Sequence, residues 1–467
     1  MTPKKYDIIV IGSGAGAKIA RPASQRGFKA AIIEKDKLGG TCLNRGCIPS
    51  KMFIHPADVA QEISNAKKFN INVNSKFKVN FAKLTKRINK TTDSDSNSIK
   101  SAYSSGKFKN LDYYHGIANF VEDKVIKING KLISADKIVI SVGARPIAPP
   151  IEGLKETPYM TSTEALRNRV LPKKMIVIGG GYIGCELGGA YQALGSDVHF
   201  FTRGGFIGRI DSEVREEFTK AFSKRVVVHE SVQTTKVEYK RKKFTIYYKQ
   251  KGKKKQDICD QLLVAIGVKP NNDLLKLENT KIKLNERGFI KVNKNLETSV
   301  KGVYALGDCV GNYMFRHSAN FEAEYLFNEL VIKKGRNKKT INYPPMPWSM
   351  FTNPQVAGVG ANEDELISKK IPYVKGVNKY IDSAMGQALL SEEGFVKLLF
   401  HAKTKKLLGA QIIGHEASIL IHLAIIFMTN KATVDDLLEI IYVHPALPEI
   451  FRNAARKAQA EFAATKN

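Results

Sequence analysis

The sequence predicts an α/β protein: two parallel-sheet units, then a C-terminal region of α+β character. Three observations carry this. A strand, a glycine-rich loop, a helix and a second strand follow one another at the N-terminus, and the same order returns near residue 175. Each loop lies where a parallel strand would hand over to a helix. From Pro344 onward the pattern changes to strands of an antiparallel sheet and then to apolar helices. At 467 residues with 43% hydrophobic content, the chain is long enough for several cored domains.

The first unit opens with the apolar strand Tyr6–Ile11 and the loop Gly12-Ser13-Gly14-Ala15-Gly16-Ala17. A helix to Gly27 and a strand Lys29–Ile33 ending in Glu34 follow. In this G-x-G-x-x-A pattern Gly12 permits a tight turn and Gly14 a close approach to a pyrophosphate. Ala17 permits close helix packing, and the helix N-terminus faces the phosphates. Glu34 is placed to accept a ribose hydroxyl. Pro22 falls inside the predicted helix, where it removes one backbone bond.

Next comes Gly39-Gly40-Thr41-Cys42-Leu43-Asn44-Arg45-Gly46-Cys47-Ile48-Pro49-Ser50-Lys51. The cysteine spacing can place both sulfurs on one helix face. A pair beside a nucleotide loop points to a redox dithiol; a metal site and an inert pair are the alternatives. Zinc would want a second pair or histidines at short spacing, and the neighbouring sequence offers neither. Pro56–Lys68 and Phe81–Gly106 read as helices, the second exposed because it is rich in Lys, Ser and Asn. Leu111–Val121, Lys124–Ile128 and Lys131–Ser134 read as antiparallel strands. Lys137–Val142 reads as a further strand, closed by Gly143.

The second unit starts at Met175–Ile178 and turns through Gly179-Gly180-Gly181-Tyr182-Ile183-Gly184 into a helix ending at Gly195. Its next strand, Asp197–Phe201, ends in Thr202 and Arg203, without the carboxylate that would bind a free 2′-hydroxyl. Arg203 and Arg209 suit a 2′-phosphate instead, which favours NADPH over NADH. Two dinucleotide loops in one chain suit a flavin and a nicotinamide. Gln261–Val268 and Gly302–Leu306 read as strands, the latter leading to Asp308, and Phe321–Lys333 as a helix. Beyond Pro344, Gly394–His401 and Leu407–Ile413 read as strands, Ala417–Thr429 and Val434–Ile441 as helices.

Composition narrows the class. The net charge is +30, with lysine runs at Lys249–Lys255 and Lys333–Lys339, but no nucleic-acid fold signature accompanies it. The charge reads as a lysine-rich surface, compatible with an acidic small substrate or partner. Five cysteines are too few for a disulfide scaffold and point to a reducing interior. The short N-terminus before the first strand leaves no room for a signal peptide, and no apolar run is long enough to span a membrane. A cytoplasmic location is expected. Cys185, Cys259 and Cys309 read as small apolar residues, and His415 and His422 as structural.

Together these motifs resemble the FAD-dependent pyridine nucleotide–disulfide oxidoreductases. The C-x4-C stretch Gly39–Lys51 and the H-P-x-x-x-E sequence His444–Glu449 are specific in combination. His317–Ala323, Leu407–Gly414 and Thr202-Arg203-Gly204 resemble the mycothione reductase branch. Gly184 stands where NADPH-using relatives often carry alanine. The resemblance implies a glutathione reductase-like architecture. FAD would be bound by 1–150 and 271–340, NAD(P) by 151–270, and 341–467 would form a dimerisation domain. It implies that Cys47 lies against the flavin and that Cys42 exchanges with substrate. His444 would be the base, oriented by Glu449 and supplied by the other subunit of a homodimer. Lys51 and Glu186 match an ion pair near the flavin, and Tyr182 a ring gating the nicotinamide pocket. Gly40, Thr41, Ala118, Gly143 and Asp308 match flavin-side positions; Gly179, Gly181 and Gly267 match the dinucleotide loops. No metal is implied. The expected activity is NADPH-driven reduction of a low-molecular-weight disulfide. The alternative is a dihydrolipoamide dehydrogenase working on lipoyl groups with NAD+.

Overall fold

The computed structural model describes residues 2–73, 77–334 and 339–464. The centre of the Lys333–Lys339 run therefore lies outside the described residues. The chain forms two compact units. The first comprises Met1–Met52, Lys83–Ile147 and Gly267–Asn342; the second comprises Phe53–Ala82, Ala148–Ile266 and Tyr343–Asn467.

The first unit is built on a mixed sheet. Leu111–His115, Ala30–Glu34, Lys4–Ile11 and Lys131–Ile140 run side by side in parallel, and Val303–Ala305 pairs with the end of Lys131–Ile140. Ile9 faces Ala31 on one side and Ile138 on the other. Ala30–Glu34 is buried along its whole length, as a strand covered on both faces requires. Val125–Ile128 and Asn119–Glu122 extend the sheet in antiparallel sense.

Several expected boundaries move. Leu111–Val121 is two strands, because the chain turns at Gly116 with φ 149°. The first half joins the parallel edge and only the second is antiparallel. Lys131–Ser134 and Lys137–Val142 are one strand, Lys131–Ile140, whose start pairs with a hairpin partner on one edge while 133–140 run parallel to Lys4–Ile11 on the other. Gln261–Val268 breaks after Val264; Gly267 takes φ 122°, and Val268–Pro270 pairs antiparallel with Ala144–Pro146. The helix expected at Pro56 begins at Cys47, and Pro56 sits in its interior. The helix expected at Phe321 begins at Arg316. Phe81–Ser104 is not simply exposed: Phe81, Thr85, Ile88, Thr92, Ser96 and Tyr103 line a buried face. Its small hydroxyls let a polar sequence pack, and Ser96 Oγ donates to the Leu38 carbonyl at 2.8 Å.

The second unit holds a parallel sheet in the order Val227–His229, Asp197–Phe201, Lys174–Ile178, Gln261–Val264. The three-stranded antiparallel meander Val232–Lys240, Lys243–Gln250, Lys253–Cys259 was not anticipated, because lysines dominate its outer positions. A five-stranded antiparallel sheet follows: Pro347–Met350, Gln355–Gly360, Leu407–Gly414, Phe395–His401 and Tyr373–Lys379. Helices Ala417–Thr429 and Pro448–Ala464 pack on it through Leu420, Ile421, Phe451 and Ala454.

A buried charge cluster ties this sheet to helix Ser212–Phe222. Lys397 on the sheet is 0% exposed. Its Nζ meets Asp211 Oδ1 at 2.7 Å, Glu363 Oε2 at 2.8 Å and Glu213 Oε2 at 2.9 Å. Burial works against the charge on Glu363, but Lys397, Tyr373 and Lys375 outweigh it and hold the carboxyl at about 2. Lys397→Met leaves these carboxylates without their central cation. It is expected to destabilise the protein by about 3–5 kcal/mol in urea unfolding.

Among the described residues, no helix is long and apolar enough to cross a membrane.

Candidate active site

The first glycine loop is held by its surroundings. Gly12 adopts φ +101°, and a Cβ there would lie 2.4 Å from the Ser141 carbonyl oxygen. Ser141 Oγ donates to the Ile11 carbonyl at 2.9 Å. The close packing expected at Ala17 falls one residue earlier. A Cβ on Gly16 would lie 2.3 Å from Ser141 Oγ and 2.5 Å from Val10 Cγ1, whereas Ala17 is half-buried. Glu34 is buried at the strand end, as its pattern required. Ser13 donates to Glu34 Oε2 from its amide at 2.9 Å and its hydroxyl at 2.7 Å. Gly14 and Gly40 bring two backbones together: a Cβ on Gly40 would come 2.7 Å from Gly14 Cα. The result is a side-chain-free cradle at a helix N-terminus, with a carboxylate beyond it, which fits the pyrophosphate and ribose of FAD.

The cysteines follow directly. They do not share one helix. Cys42 lies on the short helix Gly40–Arg45 and Cys47 opens Cys47–Asn65, with the non-helical Gly46 between. The break still brings the two thiols together, and both are free. The hydrogen bond from Cys42, then the nearby Lys51 and Arg316, hold the Cys47 thiol down at about 6 against the opposing effect of burial. The same hydrogen bond, with burial, pushes Cys42 well up. One thiol is thus poised as a thiolate near neutral pH, and the other stays protonated. Alkylation of the reduced protein is expected to show one thiol titrating near pH 6. Lys51→Met or Arg316→Met should each move that titration upward, which iodoacetamide rates across pH would reveal.

Arg316 is the residue that sequence reasoning missed. It is the first residue of helix Arg316–Phe327, one position before the quoted segment His317–Ala323. A Cβ on Gly14 would lie 3.5 Å from its Nη1. It also bears on Asp308, whose carboxyl burial pushes up and Arg316 pulls down. Its signal was a lone arginine at a helix start, unremarkable in so basic a chain. In the same unit, Gly143 takes φ +65° at the end of Lys131–Ile140, and Ala118 is buried in the core. Thr41 is exposed, and Gly267 accepts from the Ile147 amide at 3.0 Å.

The second glycine loop belongs to the second unit. Gly179 adopts φ +117°, with a Cβ that would lie 2.4 Å from the Ala265 carbonyl oxygen. Gly184 packs its helix against the loop: a Cβ there would lie 2.8 Å from the Gly179 carbonyl oxygen. Gly181 leaves the N-terminus of helix Tyr182–Ala193 without a side-chain cap. At the neighbouring strand end, Thr202 is buried with no partner for its hydroxyl among the described residues. Arg203 and Arg209 are exposed beside it. Uncapped helix amides, an unpartnered hydroxyl and two solvent-facing guanidiniums fit a nicotinamide dinucleotide. Tyr182 packs edge-on against Trp348 at 5.7 Å. Glu186 accepts from the Phe351 amide at 3.0 Å. Lys51 and Glu186 belong to different units.

His444 and Glu449 come together in the structure. Helix Pro448–Ala464 begins just before Glu449, and His444 Nδ1 lies 3.0 Å from Glu449 Oε2. Glu449 also accepts from the Ala446 amide at 3.1 Å and from Arg452 Nη2 at 2.8 Å. Burial opposes its charge, but the Ala446 amide, His444 and Arg452 hold the carboxyl below its usual range. The carboxylate fixes Nδ1 and turns Nε2 outward, and the His444 side chain is 71% exposed. Its Nε2 is thus open to groups outside this helix start.

Residues 6–323 match the family described as pyridine nucleotide-disulphide oxidoreductase, and 346–455 match its dimerisation domain. The chain is 33% identical to a dihydrolipoyl dehydrogenase of Trypanosoma brucei brucei, covering 99% of this chain and 98% of that one. It is 32% identical to a mycothione reductase of Mycobacterium tuberculosis, covering 96% and 98%. Its fold matches the HOCl-induced flavoprotein disulfide reductase RclA from Escherichia coli with a TM-score of 0.85 at 24% identity, over 97% of this chain and 99% of that one.

Proposed function

This chain belongs to the pyridine nucleotide-disulphide oxidoreductases, and on that premise we propose that it takes electrons from NADPH and delivers them to a low-molecular-weight disulfide. As a member of that family it is an enzyme that acts on sulfur groups with FAD and NAD(P)H. FAD, when bound, would supply the two-electron redox chemistry that links a nicotinamide to the Cys42–Cys47 pair. Gly12, Gly14, Gly40, Thr41, Glu34, Ala118, Gly143 and Asp308 are proposed to hold it, with Lys51 of the same unit as a cation near its ring. Gly179, Gly181, Gly184, Tyr182 and Gly267 are proposed for the nicotinamide cofactor.

The observation that carries this reading is the hydrogen-bonded thiol pair, which holds Cys47 down and Cys42 up, so that Cys42 needs a base before it can attack. His444 is proposed as that base. Cys42 sulfur attacks one sulfur of the substrate, forming a mixed disulfide, and the imidazolium protonates the thiolate that leaves. Cys47 sulfur then attacks Cys42, which restores the protein disulfide and releases the second thiol.

A homodimer is proposed, with His444 reaching the partner's dithiol. It is supported by the exposed position of His444 and by bare apolar side chains nearby: Ile441 is 100% exposed and Val443 76%. Single scattered apolar residues are ordinary, but here they lie within the matched dimerisation domain.

NADPH is supported by Thr202 in place of a carboxylate, with Arg203 and Arg209 beside it. Arg203→Ala with Arg209→Ala is expected to raise KM for NADPH at least tenfold, consistent with loss of charged phosphate contacts, and to leave NADH nearly unchanged. An unaltered preference for NADPH would remove the basis for this cofactor. The second reading, a dihydrolipoamide dehydrogenase using NAD+, is favoured by relatives such as the Trypanosoma brucei brucei protein.

A further inference from the structure

Away from both glycine loops, the second unit brings two imidazoles and a carboxylate to one point. His199 lies in strand Asp197–Phe201, His229 ends Val227–His229, and Asp257 lies in the meander strand Lys253–Cys259. His199 Nδ1 is 3.3 Å from His229 Nε2 and 3.7 Å from Asp257 Oδ2. One donor atom from each of the three lies within 4.8 Å of the others. All three residues are half-buried.

We propose that His199, His229 and Asp257 bind one divalent transition-metal ion of the zinc or copper class, with solvent completing the shell. Two nitrogens bound tetrahedrally at about 2.0–2.1 Å stand about 3.3–3.4 Å apart, and the His199–His229 separation already has this value. Two imidazoles and a carboxylate form a borderline donor set, suited to Zn2+ or Cu2+ rather than Mg2+.

The surroundings orient the ligands. Asp197 Oδ2 lies 3.2 Å from His199 Nε2, so this nitrogen carries the ring proton and Nδ1 keeps its lone pair. Asp257 Oδ1 accepts from Lys174 Nζ at 2.6 Å and from the Ile258 amide at 2.7 Å, which leaves Oδ2 turned toward His199. Without metal, the histidine contact is an N–H···N hydrogen bond; binding requires only that His229 moves its proton to Nδ1. Lys174 and Lys255 offset the charges of Asp197 and Asp257, so the attraction for a cation comes from direct ligation rather than from net charge. The site is tied to the nucleotide-reading loop, because the Thr202 amide donates to the His229 carbonyl at 3.0 Å.

The test uses the air-oxidised holoenzyme, in which Cys42 and Cys47 are joined and cannot compete for metal. Cys185, Cys259 and Cys309 are buried. Calorimetric titration with ZnCl2 should show one equivalent bound, and MgCl2 none. His229→Gln should abolish binding, and Asp197→Asn should weaken it by about tenfold. The Co2+ complex of the unaltered chain should show the visible absorption of a tetrahedral nitrogen–oxygen site, without thiolate bands. No Zn2+ binding by the unaltered chain, thiolate bands, or undiminished binding in His229→Gln would overturn the proposal.

Discussion

Replacing either Cys42 or Cys47 by serine is expected to lower NADPH-dependent disulfide reduction by at least about 10³-fold, since residues that act as one unit fail together. The two variants should differ in what survives. In Cys47→Ser, the thiol held near 6 is gone, so the neutral-pH alkylation step disappears, while Cys42, no longer raised by Cys47, should titrate lower than in the unaltered reduced protein and only burial still opposes its ionisation. In Cys42→Ser, the serine hydroxyl still donates to Cys47, whose titration should stay low, whereas Cys42→Ala removes that donor and should shift it upward. Reduction of bound flavin by NADPH should persist in both, because neither residue belongs to a glycine loop. Rapid-mixing spectroscopy with and without a disulfide acceptor separates the two half-reactions. Full acceptor turnover in either variant would remove the dithiol from the pathway.

His444→Ala should cost about 10²–10⁴-fold in the same turnover, the range for loss of a positioned acid–base group. The reason is the raised Cys42 thiol, which without a base leaves little attacking thiolate near neutral pH. Glu449→Gln should cost less, since the Ala446 and Arg452 contacts still hold the helix end and only the charge beside Nδ1 is lost. The depressed Glu449 carboxyl stays ionised through mildly acidic pH, so the fall in activity below neutrality should follow the Cys47 thiol rather than this carboxyl. Co-expression of His444→Ala with Cys42→Ser supplies a sharp check on the proposed dimer. If each site draws on both subunits, mixed dimers contain one intact site and regain activity, although each parent is inactive. No recovery in dimers shown to be mixed would place base and dithiol in the same chain.

Much of this was legible because the deciding residues are locally constrained. Gly12 and Gly179 are required by positive φ and by carbonyl oxygens that would meet a Cβ, so their motifs mark strand-to-helix turns wherever they occur. His444 and Glu449 are five residues apart and meet across one helix start. What was illegible depends on partners distant in sequence. Leu111–His115 looks like part of a hairpin, but its hydrogen bonds go to Ala30–Glu34, about eighty residues earlier. Lys397 reads as a surface lysine, yet Asp211, Glu213 and Glu363 converge on it from other elements. Arg316 is one basic residue among 74 lysines and arginines, and only the fold sets it beside Gly14 and the cysteines. The cysteine spacing suggested one helix; Gly46 breaks it and still brings the thiols together.

The most direct test of the proposed function is steady-state oxidation of NADPH and of NADH by the purified flavoprotein. Lipoamide, glutathione disulfide, bis-γ-glutamylcystine and mycothione would be supplied in turn as acceptor. Turnover is expected to be faster with NADPH than with NADH, and to occur with one of the three non-lipoyl disulfides. Strong lipoamide turnover with NADH, and none of the others reduced, would contradict this expectation and make the enzyme a dihydrolipoamide dehydrogenase.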